Sequence, residues 1–277
     1  MTMLSINTNV GALKAAQASY SVNKSMETSM HRLSTGKRIN GAADDAAGLQ
    51  IANRMTAEIQ GLNQSVRNAA DAHSMLAAAE GGMEEIHTML LRLRELAVQG
   101  SNGTMGTADR AALVSELAAL EAEITRISDN TTWAGLSLLN GGFTATGAGR
   151  FQVGPDAGQT ITHDIKELAA TAIQITARHS LATFTNAQSM ITAVDKAISL
   201  VGVERQQAGA VMNRLDHTIA NLSNVATNLS LSKGRLEDAD FAAETANLAR
   251  TQVLQQASMA MLSQANASKQ NILALFQ

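Results

Sequence analysis

Apolar residues recur at every seventh position over the first long segment of the chain. The series that starts at Met55 runs through Leu62, Ala69, Leu76, Met83, Leu90 and Ala97, with apolar companions three or four residues further on. This period places the apolar side chains on one stripe of an α-helix. The pattern predicts a helix from about Asp44 to Gln99, roughly 80 Å long at ~1.5 Å per residue. A helix of this length is stable only when partners cover its stripe.

Two further stripes can supply those partners. A short stripe over about residues 108–129 consists of Leu113, Leu117, Leu120, Ile124 and Ile127. A long stripe alternates steps of three and four from Ile191 to Leu229, and Arg205 is its only polar member. The segment 100–104 between the first two helices has the composition of a turn. The sequence therefore predicts a mainly α protein, built as a long antiparallel helical bundle or coiled coil.

The periodicity changes between the second and third of these helices. Phe151 and Val153 alternate with polar residues, a turn-forming segment follows at 154–158, and Ile161 and Ile165 resume partial alternation. This pattern predicts a small β-hairpin at about residues 149–166. Residues 167–185 are Ala-rich and then Thr-rich, and they match neither pattern.

Both ends of the chain also have helical patterns. Their stripes consist of Val10, Leu13, Ala16 and Tyr20 near the start, and of Leu254, Met261, Ala265, Ile272 and Phe276 near the finish. Each stripe is thin in residues that could form a core. Two interpretations stand: the ends become ordered only on assembly, or they pair with each other as an antiparallel hairpin.

The composition favours a protein whose surface is buried in an assembly. Charged residues make up 16% of the chain, against about 25% in typical soluble domains. An Ala-rich bundle with a neutral polar surface is the alternative. A single proline, Pro155, leaves long helices uninterrupted. The net charge of −3 without a basic run argues against a nucleic-acid partner, and the absence of Cys excludes thiol chemistry.

The sequence predicts neither an enzyme nor a membrane protein. Glu84 and His87 form half of a di-iron helix motif, but no second half occurs. No phosphate-binding glycine loop is present, so we expect no cofactor, no metal and no catalytic residue. The first residues lack a cleaved secretion signal, and no run of about 18 apolar residues could insert into a membrane.

Several short motifs follow one another along the chain: Ile6 to Asn9, Arg32 to Asn40, Asp44 to Gly48, Arg94 to Gln99, Asn102 to Thr104, Asn221 to Asn224, Arg235 to Phe241, Gln255 to Ala257 and Gln264 to Asn266. In sequence and in order they resemble the motifs of the bacterial flagellins. The resemblance covers about residues 1–147 and 187–277. Ala43 departs from the family, which often has Lys there. The middle of the chain is also short, so the large variable outer domains of many flagellins have no counterpart.

The resemblance implies a subunit that polymerises into the flagellar filament for motility. Residues 1–43 and 234–277 would form the coiled-coil inner tube, and residues 44–233 would form the outer tube. Packing in the filament core would involve Val10, Leu13, Leu254, Met261, Ile272 and Phe276. The segment from Ser34 to Gly48 would be a hinge between the tubes, loosened by Gly36, Gly41 and Gly48.

The resemblance also implies partners. The chain would be secreted through the flagellar type III apparatus, after a cytoplasmic export chaperone releases its C-terminal helix. In the filament it would meet further copies of itself, the filament cap and the hook-junction proteins. In animals it would bind the Toll-like receptor for flagellin, and the matching contact residues are Arg92, Leu96 and Glu116.

Two rival interpretations remain open at the level of sequence. A hook–filament junction protein shares the terminal helices and the export route, and a generic helical scaffold shares the heptads. The motif from Arg32 to Gly48 discriminates between them, because a junction protein usually diverges there and a scaffold lacks it.

Overall fold

A computed structural model describes residues 8–145, 147, 149–175, 181 and 183–274, except for the side chains of 144, 145 and 269–274. Its elements follow in chain order. They are α1 (Val10–Thr35), α2 (Ala46–Gly100), α3 (Thr107–Asn130), β1 (Thr132–Trp133), β2 (Leu136–Ser137), α4 (Gly142–Ala145), β3 (Arg150–Gln152), β4 (Thr160–Thr162), α5 (Phe184–Glu237) and α6 (Phe241–Ala274). The prediction of a mainly α protein with long helices and a small hairpin is confirmed.

The chain divides into two compact units, which are described separately. One consists of residues 1–57 with 229–277, and the other of residues 58–228. The predicted domain boundaries, at 43/44 and 233/234, lie nearer the ends of α2 and α5 than this division does. Continuous burial of the α2 stripe begins only at Leu62. For this reason the first turns of α2 belong to the unit of the chain ends.

In the unit 58–228, α2 and α5 run antiparallel and in a fixed register. Three polar pairs join them: Arg94 Nε to Asp195 Oδ1 at 2.7 Å, Arg205 Nη2 to Glu80 Oε1 at 2.6 Å, and His73 Nε2 to Asp216 Oδ1 at 3.6 Å. As the residue number rises on α2 it falls on α5, which defines the antiparallel direction. We call these pairs the charge ladder.

The heptad stripe of α2 forms the core of this unit together with α3, α5 and the irregular segment between them. Its largest fully buried side chains are Phe143, Leu76, Met83, Ile86, Leu90, Leu93, Leu96, Leu117, Ile124, Leu138, Leu139 and Ile165. The stripes read from the sequence therefore face one another. Leu138, Leu139 and Phe143 lie outside every predicted stripe, and they fill the core from the connection after α3.

Two small hairpins pack in this unit. The predicted one is confirmed: β3 and β4 are antiparallel, with Phe151 opposite Ile161. Asn68 on α2 donates a hydrogen bond to the Gln152 carbonyl at 3.2 Å, and Pro155 lies against Gly61 so closely that a Cβ at Gly61 would be 2.9 Å from it. The hairpin is therefore held against α2 at both its strand and its turn.

The second hairpin, β1–β2, was not predicted from the sequence. Ala134 and Gly135 between its strands both have positive φ angles of 50° and 83°, as a two-residue mirror-image turn requires. The connection passes close to α2, where a Cβ at Gly82 would lie 2.9 Å from both Leu139 Cδ1 and Thr131 Oγ1. Gly82 thus permits this close approach.

Arg110 organises the turn between α2 and α3. Its guanidinium donates to the carbonyl oxygens of Gly100 at 2.7 Å, Asn102 at 3.0 Å and Leu181 at 3.0 Å. The bond to Gly100 satisfies a carbonyl group at the C-terminus of α2 that has no partner within the helix. One side chain therefore ends α2 and anchors the segment that leads to α5.

In the other unit, α1 and α6 pair in an antiparallel arrangement. Asn9, at the start of α1, donates to the carbonyl of Ala265 near the end of α6 at 3.1 Å. Further along, Gln255 Nε2 donates to Asn23 Oδ1 at 2.8 Å. Of the two interpretations of the chain ends, antiparallel pairing is the arrangement that this single chain adopts. Asn9 also begins α1, because its side chain accepts a hydrogen bond from Ala12 N.

Candidate functional site

The motif Arg32 to Asn40 contacts the motif Arg235 to Phe241, although about 200 positions separate them in the chain. Arg38 N donates to the Glu237 carbonyl at 2.6 Å, and Ala239 N donates to the Gly36 carbonyl at 2.9 Å. Lys37 and Asp238 form an antiparallel β-bridge between these bonds. We call residues 36–40 with 236–239 the clasp. It shows why both motifs occur in one chain, since each supplies one side of the same backbone pairing.

Charged side chains reinforce the clasp. Lys37 Nζ lies 3.1 Å from the buried carboxylate of Glu237, and Arg38 Nη2 donates to the Leu236 carbonyl at 2.9 Å. A second buried carboxylate, that of Glu244, lies 3.8 Å from Arg32. Sequence reasoning did not single out Lys37, Glu237 or Glu244, because a pair so distant in sequence leaves no local signal.

The clasp continues into a tight loop before α2. Asp44 Oδ2 accepts hydrogen bonds from the backbone N–H groups of Asn40 at 3.0 Å and Gly41 at 3.1 Å. These bonds hold the pKa of Asp44 below its usual value, because they stabilise the ionised carboxylate. Asp45 instead caps α2 by accepting from Gly48 N at 2.9 Å. The two acidic residues therefore have different tasks: Asp44 closes the loop and Asp45 begins the helix.

The three glycines of the predicted hinge lie in different environments. Gly36 ends α1 with a φ of +72°, and its N–H donates to the Arg32 carbonyl at 2.8 Å. Gly48 lies in the first turn of α2, where a Cβ would be 2.8 Å from Ile39 Cδ1. Gly41 alone has nothing within 4 Å of its Cβ position. The backbone conformation thus explains why residue 36 is a glycine, and close packing explains the glycine at position 48. The hinge role of Gly36, Gly41 and Gly48 stays a prediction.

The predicted packing residues are largely exposed on the paired terminal helices. The exposed fractions are 52% for Val10, 62% for Leu13, 46% for Leu254 and 66% for Met261. Ile272 and Phe276 lie outside the side chains that the structure describes. Pairing of α1 with α6 therefore leaves an apolar surface on both helices, to which Tyr20, Met30, Val253 and Met259 also contribute. We call this the terminal apolar surface.

The predicted receptor-contact residues separate into two groups. Arg92 on α2 donates from Nε and Nη2 to Glu116 Oε1 on α3 at 2.9 and 2.7 Å, and it also contacts Glu95. The hydrogen bonds to Glu116 and then Glu95 raise the pKa of Arg92. Both Arg92 and Glu116 are exposed. Leu96 is fully buried, because the heptad stripe turns its side chain into the core, so it presents no side-chain surface to a receptor.

The part of the chain that the structure describes offers no cluster of three or more His, Cys, Asp or Glu residues suited to a metal ion. No helix in that part combines the length and apolar character needed to cross a membrane. A cleft of about 390 Å³ lies beside the clasp, lined by Glu27, Thr28, His31, Arg32, Asn40, Gly41 and Asp44.

These features define a class of protein: a coiled-coil protein whose terminal helices pair and keep apolar residues exposed. Comparison with known proteins makes the class specific. Residues 6–144 match the bacterial flagellin N-terminal helical region, and residues 191–276 match the bacterial flagellin C-terminal helical region. The chain belongs to the flagellin family. It is a structural subunit of the flagellar filament, not an enzyme.

Relatives match over nearly their whole length. The chain is 41% identical to a flagellin of Halalkalibacterium halodurans over 274 residues, with 98% of this chain and 99% of the relative covered. It is 38% identical to a flagellin of Bacillus subtilis over 304 residues, with 98% and 99% covered. Flagellin A of Vibrio cholerae is 31% identical over 380 residues, with 99% and 100% covered. The last alignment is longer than the 277 residues of this chain, in accord with the short middle segment.

Solved structures agree on the fold. A flagellin of Bacillus cereus superposes with a TM-score of 0.51 at 32% identity, covering 60% of this chain and 94% of the other. A Vibrio parahaemolyticus protein described as a flagellar hook-associated protein superposes with a TM-score of 0.60 at 18% identity, covering 70% and 100%. The second likeness concerns the fold alone. This fold therefore occurs both in a flagellin and in a hook-associated protein, whereas the three relatives compared by sequence above are all flagellins.

Proposed function

We propose that this chain assembles into its filament through the terminal apolar surface. Residues 1–43 and 234–277 form the inner tube, and residues 44–233 form the outer tube. The observation that carries this proposal is the exposure of Val10, Leu13, Leu254 and Met261 after α1 and α6 have paired. In an isolated subunit the apolar side chains on both terminal helices stay exposed to water, whereas additional copies can bury them.

The energetics favour an assembly that is cooperative and sensitive to single changes. Burying an exposed Leu, Val or Met side chain completely contributes ~1.5–3 kcal/mol, and about half of that is available where the side chain is half exposed already. Ordering of chain segments and loss of subunit motion oppose this gain. Removal of one large apolar side chain should therefore weaken incorporation about tenfold. Head-to-tail contact without closure then extends the polymer as a fibre.

Seeded growth followed by electron microscopy tests the proposal. Purified subunit would be added to filament fragments, and wild type would be compared with a chain lacking residues 1–30 and with Leu13→Ser. The neighbouring exposed residue provides a matched control as Lys14→Ser. We expect wild type and Lys14→Ser to elongate the seeds at similar rates and Leu13→Ser to elongate them about tenfold more slowly, while the truncated chain does not elongate them. Elongation by Leu13→Ser at the wild-type rate would refute the role of the terminal apolar surface.

Secretion through the flagellar type III apparatus and the associated partners belong to the same proposal. Exposed Val253, Leu254, Met259 and Met261 on α6 would promote aggregation before export, which supports an export chaperone that covers this helix. After export, the same ends would meet the filament cap and the hook-junction proteins. Co-purification of the full chain with the flagellin chaperone, compared with Leu254→Ser, tests the first step. Equal recovery of both would contradict chaperone binding at this surface.

Recognition by the Toll-like receptor for flagellin is a separate proposal, carried by the exposed pair of Arg92 and Glu116. Together with Glu95 they present a fixed charged patch across α2 and α3. Leu96 would contribute only indirectly, because its side chain packs in the core and helps to hold α2, the helix that carries Arg92, in place. Arg92→Ala and Glu116→Ala should each reduce activation of receptor-bearing cells about tenfold or more. The control is Glu123→Ala, which removes another exposed ion pair on α3. Full activation by both patch variants would exclude this surface.

A further inference from the structure

Among the methionines that the structure describes, the exposed ones all lie on the terminal helices α1 and α6. Met30, Met259 and Met261 are 54%, 59% and 66% exposed, and every other methionine that the structure describes is buried or half-buried. In the unit 58–228, by contrast, Met75, Met83 and Met190 lie in the core at 6% exposure or less. Among the methionines that the structure describes, the most accessible thioethers therefore coincide with the terminal apolar surface.

These exposed thioethers are accessible targets for a mild oxidant. The chain has no cysteine, so methionine sulfur is its only sulfur. Hydrogen peroxide transfers one oxygen atom to the sulfur: an S–O bond forms, the O–O bond breaks and the peroxide leaves as water. The sulfur loses two electrons to the peroxide, and the apolar thioether becomes a polar sulfoxide.

We propose that Met30, Met259 and Met261 form a peroxide-sensitive site at which oxidation of the free subunit blocks its incorporation into the filament. This inference rests on the proposed assembly through the terminal apolar surface. The unbranched Met side chain suits a surface that must adapt to several neighbours. Its sulfoxide brings an oxygen that loses hydrogen bonds to water when it is buried among apolar groups. Once the subunit is incorporated, the neighbours exclude peroxide from these positions.

The experiment compares free and assembled protein treated with hydrogen peroxide. Peptide mass spectrometry locates the added oxygen atoms, and seeded elongation measures competence. In the free subunit we expect oxidation at Met30, Met259 and Met261 before Met75, Met83 and Met190, with an elongation rate about tenfold lower than in the untreated sample. In intact filaments we expect Met259 and Met261 to remain thioethers. Equal oxidation of free and assembled protein would overturn the shielding.

Leucine variants locate the effect. Leu is close to Met in volume and does not react with peroxide. Met30→Leu/Met259→Leu/Met261→Leu should elongate as fast after peroxide as before it, because leucine has no sulfur to oxidise. Each variant is compared with its own untreated sample. The matched control Met83→Leu/Met190→Leu should remain as sensitive as wild type. Loss of elongation in the triple variant on oxidation would place the sensitive sulfur elsewhere and overturn the proposal.

Enzymatic repair provides a readout that does not depend on any variant. Treatment of the oxidised wild-type subunit with methionine sulfoxide reductases should restore elongation, whereas persistent loss would point to other damage. Fluorescence of the single tryptophan, Trp133, reports whether the bundle stays folded throughout. Failure of the untreated wild type to elongate seeds would count against the proposed assembly. Failure confined to the oxidised sample supports the methionine site.

Discussion

Arg205 donates from Nε and Nη2 to a single oxygen of Glu80, at 3.0 and 2.6 Å. Arg205 is the one polar member of the α5 stripe, and the contact shows why a charge is tolerated there. The stripe position faces α2 at the edge of the core, where Glu80 compensates it. The same contact belongs to the charge ladder, in which Asp195, Arg205 and Asp216 on α5 alternate in sign. A shift of α2 by one heptad would bring Glu80 to the position of His73, opposite Asp216, so the ladder disfavours that register.

The first prediction concerns this pair. Glu80→Gln should lower the free energy of unfolding by about 1 kcal/mol, because the partly buried guanidinium of Arg205 loses its anionic partner. The double variant Glu80→Leu/Arg205→Leu should recover most of that loss, since it places apolar groups in the stripe. A double-mutant cycle in urea measures the coupling. Additive effects of the two changes would show that the pair contributes no interaction free energy.

The second prediction uses two adjacent glycines of α2 as a matched pair. Gly82→Ala should destabilise the protein by ~1–3 kcal/mol, because its Cβ would lie 2.9 Å from Leu139 and Thr131. Gly81→Ala should stabilise it by ~0.5–1 kcal/mol, because nothing lies within 4 Å and alanine favours the helix. Thermal unfolding followed by circular dichroism gives both values. Equal shifts of the two midpoints would contradict the close packing at Gly82.

The third prediction concerns pH and Glu121. Burial at 3% exposure raises the pKa of Glu121 to about 7, because a low-dielectric environment disfavours the carboxylate. The unfolded chain ionises near the ordinary value of 4.5 while the folded chain stays protonated. The protonated Glu121 side chain therefore makes its full contribution to the free energy of unfolding below about pH 4.5. This contribution is lost as the pH rises toward about 7.

Glu121→Gln should remove that loss. Above about pH 7 the variant should be more stable than wild type by about 1–3 kcal/mol, and the difference should vanish near pH 4.5. Urea unfolding across this range measures it. The exposed Glu123→Gln serves as the control, since Arg126 lowers the pKa of Glu123 and moves its titration to lower pH. A pH-independent difference at Glu121 would exclude a raised pKa.

The fourth prediction compares two glycines of the predicted hinge: Gly36, which has a backbone conformation that favours glycine, and Gly41, which would act only through flexibility. Gly36→Ala should cost ~1–2 kcal/mol, because its φ of +72° is unfavourable for any residue with a Cβ. Gly41→Ala should leave stability unchanged, because its Cβ position is open. If Gly41 acts as a hinge, Gly41→Ala should nevertheless reduce filament growth. Normal growth of this variant would remove Gly41 from the hinge.

Local pattern accounts for the parts of the fold that could be predicted. The heptads located α2, α3 and α5, and the alternation around Phe151 with the turn at Pro155 located the β3–β4 hairpin. The β1–β2 hairpin was missed because each strand has only two residues, too few for an alternating pattern. Its turn, Ala134-Gly135, carried the one available signal. Thr131 and Leu139, which flank this hairpin, pack against Gly82 on α2, and the sequence gives no sign of that contact.

The candidate site was predictable only in part. Motif resemblance named Arg92, Leu96 and Glu116 together, but the structure separates the buried Leu96 from the exposed pair. A residue on the margin of a heptad stripe can face either the core or solvent, and only the neighbouring helices decide which. The contacts of Arg110 with three carbonyl groups were invisible for the same reason: backbone atoms of distant segments leave no residue-type signal.

Heptad period and motif order are local properties of the chain, so the amino-acid sequence was sufficient to identify a helical flagellin. The pairing of the motifs around Lys37 and Glu237 into one clasp became visible only in the folded chain. The same holds for the pairing of α1 with α6, which leaves Leu13 and Met261 exposed. Backbone pairing and burial depend on which segments meet in space. Amphipathic periodicity defines a face for each helix, but it does not specify the partner that covers it.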